Sequence, residues 1–228
     1  VWVGNNRTLN YTAPGAWYDT DSAHAAGSSV ITEASLQLRI YALEALNNYL
    51  YVFGDSSIII IGDLKVSGAT TTFSQTFLSS TTGTTLPQTI TALERAIIFC
   101  NQEGVYALVG ASLQKISKRL DGVFPDIDFT RTVSAGLGAI YNIQCYALNF
   151  RYTGDLDGTA NDRQLQAAFF DGKWFITAQG DVRLVAPASM NGISQLWGTT
   201  GFDVSMLYGD DVSDIDSVMI TGLYDLGN

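Results

Sequence analysis

Histidine occurs once in this chain, at His24, and cysteine twice, at Cys100 and Cys145. The single imidazole excludes a multi-histidine zinc site, and with no Cys-x-x-Cys spacing the common cysteine-based sites go too. A Ser-His-Asp triad would have to draw on His24, which sits in a Ser/Ala/Gly-rich loop, and the chain has no Gly-x-Ser-x-Gly nucleophile elbow. There is no Gly-Lys-Ser/Thr phosphate loop and no dinucleotide fingerprint. No cofactor is expected.

Positive charge is equally scarce. Lys and Arg number 12 against 22 Asp and Glu, for a net charge of -10. Such a field repels nucleic acid in bulk and argues against ordinary phosphate-tracking binding, which needs clustered cations. One exception stays open, because a channel through which DNA slides without sticking gains from negative walls. The only cluster that breaks the acidic balance is Lys115, Lys118 and Arg119, the candidates for a subunit interface or a phosphate contact, weighed against a solvated sheet edge. From Asp181 onward the acidic residues meet only Arg183.

Long hydrophobic runs are absent as well. A membrane-spanning helix needs about 18 or more apolar residues, and the longest run of isoleucine, Ile58 to Ile61, is far shorter. The chain begins at Val1 without a succession resembling a signal peptide, and processing or truncation is the expectation. With 46% hydrophobic residues over 228 positions, the chain can nevertheless bury one large or two small cores.

What is present is a recurring pair of strands. Tyr49 to Phe53 and Ile58 to Ile61 are β-branched and aromatic, and the Gly-Asp-Ser-Ser between them reads as a hairpin turn. A lone hairpin is marginal in water, so elements must cover both faces. The same grammar returns in AIIFCNQEGVYALVG (96–110), in Ile143 to Tyr152 followed by Gln164 to Phe170, and in ISQLWGTTGFDVSMLYG (193–209). Four copies of a unit that cannot bury its own face predict an all-β, propeller-like array of about four four-stranded antiparallel blades, complete or part of a larger propeller. Residues 1–35 are expected to lead in and to close a ring, and residues 36–228 to form the propeller-like domain.

The expected innermost strands start near Leu36, Pro87, Ala135 and Asp181, a period of about 46 to 51 residues that matches the roughly 40–50 of known propeller repeats. Leu36 to Leu46 also satisfies a helical face, and the Pro, Gly and β-branched residues of its counterparts decide for strand. Expected outer strands are Thr71 to Leu78, Leu113 to Ser117, Lys173 to Ala178 and Ser217 to Tyr224. Asp171-Gly172 predicts a type I′ turn, since both positions need positive φ. Ser117 is expected to cap a short helix stopped at Pro125, with Leu120 and Phe124 packed beneath the sheet. Residues 1–29 read as a loop carrying one short strand, with Trp2, Trp17 and Tyr18 packed on the first repeat. The two cysteines fall at similar places in successive repeats and read as free, buried thiols, suited to folding in a reducing cytoplasm.

Two acidic loops are candidate sites. Asp155, Asp157, Asn161 and Asp162 have a calcium-loop flavour, but Thr159, Ala160 and Gln166 stand where an EF-hand needs other residues, so a solvated loop and no metal is the reading. Asp210, Asp211, Asp214 and Asp216 read as a hydrated connection. A glycosidase would need paired carboxylates, with Glu33, Glu44, Glu94 and Glu103 the only glutamates, and FFDGKWF lacks the features of a sialidase Asp box.

One stretch carries a family likeness. VFGDSSIIII, the TTF and QTFL segments, Gly83-Thr84, Pro87, NQEGVYAL, and LQKIS followed by LDGVF resemble the head-completion proteins of short-tailed bacteriophages, in particular packaged-DNA stabilisation proteins, with tail nozzle proteins related in plan. YALNFRY through RQLQAAFFDGKWF is similar to them more loosely. The resemblance implies a structural, non-enzymatic virion protein at the head-to-tail connector or tail hub. Such a protein forms a homo-oligomeric ring with the portal or adaptor and other tail proteins, lies close to genomic DNA in the exit channel, and provides a platform for tail assembly. No catalytic residues come with it. The alternatives are a glycan-binding propeller for host attachment, with Trp17, Trp174 and Trp197 exposed, and a glycoside hydrolase.

Overall fold

The computed structural model describes residues 1–32, 39–93, 95–140, 143–155, 162–178, 182–190, 193–200, 203–207 and 219–220. These form an all-β, propeller-like succession of antiparallel sheets with short 3-10 turns and no α-helix among the described residues. None of the described helices is long and apolar enough to cross a membrane. The chain divides into two compact units. One comprises Val1–Pro87, Ala92–Asn101 and Ala107–Gln114, the other Gln88–Thr91, Gln102–Tyr106 and Lys115–Asn228.

The first unit opens with a three-stranded sheet of β1 (Trp2–Asn5), β2 (Thr8–Tyr11) and β3 (Gly27–Val30), where one short strand was expected. Its residues are too polar to announce a sheet locally. The sheet forms because alternate positions find an apolar partner: Leu9 and Ile31 are wholly buried with Ile40, Val52, Ile59 and Ile61, and Trp2 packs against the same cluster. Val52, Ile59 and Ile61 belong to a four-stranded sheet of β4 (Ala42–Leu46), β5 (Tyr49–Phe53), β6 (Ile58–Ser67) and β7 (Thr70–Ser79), and Ile40 lies just ahead of its first strand. The β5–β6 hairpin is the one read from the sequence, with Phe53 opposite Ile58 and Leu50 opposite Ile61. Period-2 alternation sends Ile59 and Ile61 into this cluster, while Ile58 is wholly buried on the opposite face of the strand. Strand β4 begins at Ala42; the expected start near Leu36 falls in residues 33–38, which lie outside the described residues. Asn47 and Asn48, with φ of 52° and 64°, make the tight two-residue turn from β4 to β5.

The next sheet orders β8 (Thr91–Leu93), β9 (Ala96–Asn101), β10 (Gly104–Val109) and β11 (Ser112–Lys115) as β11-β10-β9-β8. Pro87–Thr89, expected as strand, is a 3-10 turn. Within the first unit Phe53 meets Phe99 edge to face at 5.2 Å, both rings wholly buried.

The second unit holds β12 (Ser134–Ile140), β13 (Ile143–Tyr152), β14 (Arg163–Phe170) and β15 (Lys173–Ala178), followed by β16 (Leu184–Met190), β17 (Ile193–Thr200) and β18 (Asp203–Leu207). Asp171 and Gly172 turn β14 into β15 with φ of 47° and 71°, as the sequence predicts. The expected outer strand at Ser217 to Tyr224 is corrected. Its described part, β19 (Met219–Ile220), pairs with β15 and extends the β12–β15 sheet to five strands, leaving β16-β17-β18 as three. The two sheets meet over Ala147, Val182, Val185 and Leu196, and Gly136 and Gly138 let Leu196 approach the β12 backbone: an added Cβ would come within 2.7 Å and 2.9 Å of it.

Candidate functional site

The clearest surface feature is an arm. Strand β5 ends its pairing with β6 at Ile61, yet β6 and β7 continue as a two-stranded ribbon to the turn at Gly68, where φ is 59°. The register shifts between Gly62 and Lys65, where Asp63 adopts φ of 51° and accepts a hydrogen bond from Ser74 Oγ at 2.9 Å. Such a bulge strengthens local twist and re-aims the strand. One face of the arm is anchored: Phe73 meets Trp2 and Tyr11 at 5.3 and 5.8 Å, Thr71 donates to Ala25 O, and Gln75 donates to Ser29 Oγ. Beyond the bulge, residues 63–70 are all exposed, and Leu64 and Val66 show 54% and 47% of their surface to solvent.

The basic cluster separates. Lys115 is consumed within its own unit, pairing with Asp121 at 2.7 Å, whereas Lys118 and Arg119 are exposed on a 3-10 turn. Ser117 caps nothing. Its wholly buried Oγ accepts the Val105 amide at 2.8 Å, so a cross-strand bond has taken the side chain that the local pattern assigned to a helix start. Leu120 and Phe124 are buried as expected, on two separate 3-10 turns.

Trp2 is packed as expected, but Trp17 and Tyr18 are not: each is 74% exposed, their rings edge to face at 5.6 Å. They crown a loop closed by Ala13 N–H donating to Asp19 O at 2.8 Å and Asp19 N–H to Ala16 O at 3.2 Å. Asp19 is the brace of that loop. Its carboxylate accepts the Asp21 amide and binds His24 Nδ1 at 2.7 Å; these bonds lower the Asp19 pKa, and the hydrogen bond to Asp19, followed by the Asp19 and Asp21 charges, raises that of His24. Trp174 donates from Nε1 to Ile116 O and tilts against Phe169 at 5.1 Å, which gives it a packing role, and Trp197 is half-buried.

Both cysteines are free and buried, and burial pushes each thiol up, so neither is a thiolate nucleophile at neutral pH. Burial also raises the Glu44 carboxyl, which lies on β4 opposite Tyr51; Glu33 and Glu94 lie outside the described residues. In the calcium-like loop, Asp157 and Asn161 lie outside the described residues, and Asp162, its pKa lowered by the partner, pairs with Arg151. Asp210, Asp211, Asp214 and Asp216 also lie outside them. Among the described residues, no group of three or more His, Cys, Asp or Glu is placed to hold a metal ion.

A feature missing from the sequence reading is a polar row across the five-stranded sheet. Ser134, Asn149, Gln166 and Thr177 lie opposite one another on β12 to β15, the first three wholly buried. Ser134 Oγ accepts from Val185 N–H and Asn149 Nδ2 donates to Val182 O, so the row ties down the backbone leading into β16. The signal for it was a polar residue at every second place in LNFR and RQLQ. Neither a protein-family model nor a curated protein matches the chain.

Proposed function

We propose that the chain is a structural, non-enzymatic virion protein of the phage head-to-tail connector or tail hub, assembling with copies of itself into a ring on the DNA exit path. The observation that carries this reading is the β6–β7 arm, whose exposed tip presents Leu64 and Val66 beyond the sheet that anchors it. A ribbon with free edges and apolar side chains gains by pairing with or packing on a neighbour, and is a liability when left alone. The family likeness of residues 49–124 supports the same reading, and the acidic balance suits a conduit that must not hold DNA. Lys118 and Arg119 then serve as a subunit or phosphate contact. The portal or adaptor and later tail parts are the proposed partners, and the virion the proposed location.

Antibody labelling of intact particles under the electron microscope tests the role. Label at the single vertex where head meets tail is expected; label confined to fibre tips, or none on any particle, sinks it. The arm is tested separately with Leu64→Ser/Val66→Ser. Native mass spectrometry should lose the ring while the melting temperature stays within a degree or two, since exposed substitutions change stability by about 0.5 kcal/mol or less. An intact ring removes the arm from the argument.

A further inference from the structure

We infer that two copies of this chain join edge to edge along β7, antiparallel about a two-fold axis, so that one sheet runs through both. Strand β7 is an edge of its sheet, and among the described residues its backbone bonds to no strand but β6. Alternate amides and carbonyls along the strand therefore face outward unpaired. Edges are ordinarily blunted by brevity, charge, proline, bulges or cover. Here β1 and β3 have four residues each, β4 carries Glu44, β11 Lys115, β16 Pro187 and β18 Asp203. Strand β7 is ten residues long, TTTFSQTFLS, with neither charge nor proline. The extra residue of the bulge between Gly62 and Lys65 lies on β6, and the other register shift falls beyond Phe77, so Thr70 to Phe77 runs without an inserted residue.

The strand is also held ready. Phe73 packs on Trp2 and Tyr11, and the side chains of Thr71 and Gln75 bond to Ala25 O and Ser29 Oγ, which fixes one face of β7 against the N-terminal sheet. A neighbouring strand thus meets an edge that is already extended, with little ordering left to do. Thr72, Gln75, Thr76 and Phe77 are exposed, and a second strand laid alongside gives the Phe77 ring, 40% exposed, an apolar neighbour.

Charge selects the occupant. The ribbon from Ile58 to Ser79 holds one acidic and one basic residue, Asp63 and Lys65, and is neutral in a chain of net charge -10. A neutral strand offers nothing to a strongly charged partner, whereas two copies of an acidic protein can approach at a neutral surface without like charges facing each other. An antiparallel two-fold pairing sets β7 against itself and satisfies both edges in one contact. It deepens the assembly proposed above and shares with it only the premise that the partner is another copy. A two-fold contact closes at two members, and a ring requires a contact that does not. The β7 pairing is therefore separate from the contact of Leu64 and Val66 at the arm tip, and either can fail alone.

The test is sedimentation velocity of the full chain over a concentration series. Expected is a dimer whose dissociation constant rises about tenfold or more in Thr72→Lys/Thr76→Lys, where ammonium groups of both copies crowd the joined strands, with near-UV circular dichroism unchanged. Leu64→Ser/Val66→Ser should leave that constant within about twofold, even where it dissolves the ring. Cysteine cross-linking reads the geometry and decides alone if the lysines disturb the fold. Cys100 and Cys145 are buried, so Thr72→Cys, Ser74→Cys and Thr76→Cys, each alone and in mixtures, report on β7 under mild oxidation. Antiparallel pairing joins positions whose residue numbers share one sum, so at most one of these three sites joins its own counterpart. Any of four results overturns the pairing: no dimer at any concentration, a correctly folded Thr72→Lys/Thr76→Lys that dimerises as the native chain does, cross-links between like positions at all three sites, or a β7 that cross-links only to a different protein.

Discussion

Replacing Gly83 by alanine should be among the most damaging single-methyl changes this protein can suffer. A Cβ at Gly83 would collide with the carbonyl oxygen of Gly54 and lie 2.5 Å from Ser57 N and 2.9 Å from Ser56 N. All three atoms are backbone of the turn between β5 and β6, so no side chain can swing away. The neighbouring Thr84 is wholly buried: its amide donates to Gly54 O at 2.9 Å, its Oγ1 donates to Cys100 O at 2.5 Å, and Oγ1 accepts from Leu86 N–H at 2.9 Å. Overpacking costs about 1–3 kcal/mol where neighbours can adjust, and the rigid neighbours here put this site at the upper end. Loosening the hydrogen bonds of the buried Thr84 as the segment shifts adds about 1–3 kcal/mol. Together Gly83→Ala should lose about 3–5 kcal/mol, read by urea unfolding followed through tryptophan fluorescence. Gly122→Ala is the control, with nothing within 4 Å of the added methyl, and should stay within about 1 kcal/mol of wild type. Thr84→Val removes the two Thr84 Oγ1 hydrogen bonds, to Cys100 O and from Leu86 N–H, and should cost about 1–3 kcal/mol. A Gly83→Ala midpoint indistinguishable from that of Gly122→Ala would refute the reasoning, because the turn would then be able to move off its contact.

Two further predictions concern titrating groups. Cys100 and Cys145 should resist alkylation in the native protein and react fully after denaturation, as mass spectrometry will show; native modification of Cys100 would contradict its complete burial. The raised His24 pKa means that the folded loop prefers the imidazolium, so the stability it contributes is fully present below the ordinary value of 6.5 and is lost as pH rises through the folded value. The lowered Asp19 pKa works in the opposite window, its contribution present above 3.8 and lost as pH falls through the folded value. An NMR titration of His24 should therefore give a pKa above 6.5 that returns toward it in Asp19→Asn; a value at or below 6.5 in the native chain would rule out the brace.

The legible parts of this fold were those written in neighbouring residues. The β5–β6 hairpin, the Asp171-Gly172 turn and strands such as Lys173–Ala178 follow from alternation and turn chemistry within a few positions. What escaped depended on partners far along the chain. The N-terminal sheet exists because Leu9 and Ile31 find Ile59 and Ile61, the Ser117 hydroxyl is claimed by Val105, and β19 takes β15 rather than β18 as its neighbour. The site was less legible still. Trp17 and Tyr18 carry the composition of a core, and only the loop closed between Ala13 and Asp19 leaves them outside it. The arm was hidden in plain alternation, since nothing in Ile58 to Ser67 says where its partner β5 stops.

The pairing of β19 with β15 also has a kinetic consequence. Every other strand pair with a described register joins neighbours in the chain, a pattern of local contacts that lets sheets form quickly and in the order of synthesis. Residues 219–220 reach β15 only across all of β16, β17 and β18. During synthesis β15 therefore waits as a bare edge while the next sheet is being made, and its completion is the last and slowest closure in that sheet. A nascent chain at that stage is where wrong pairings between copies compete best, so the yield of correctly folded protein should be set there.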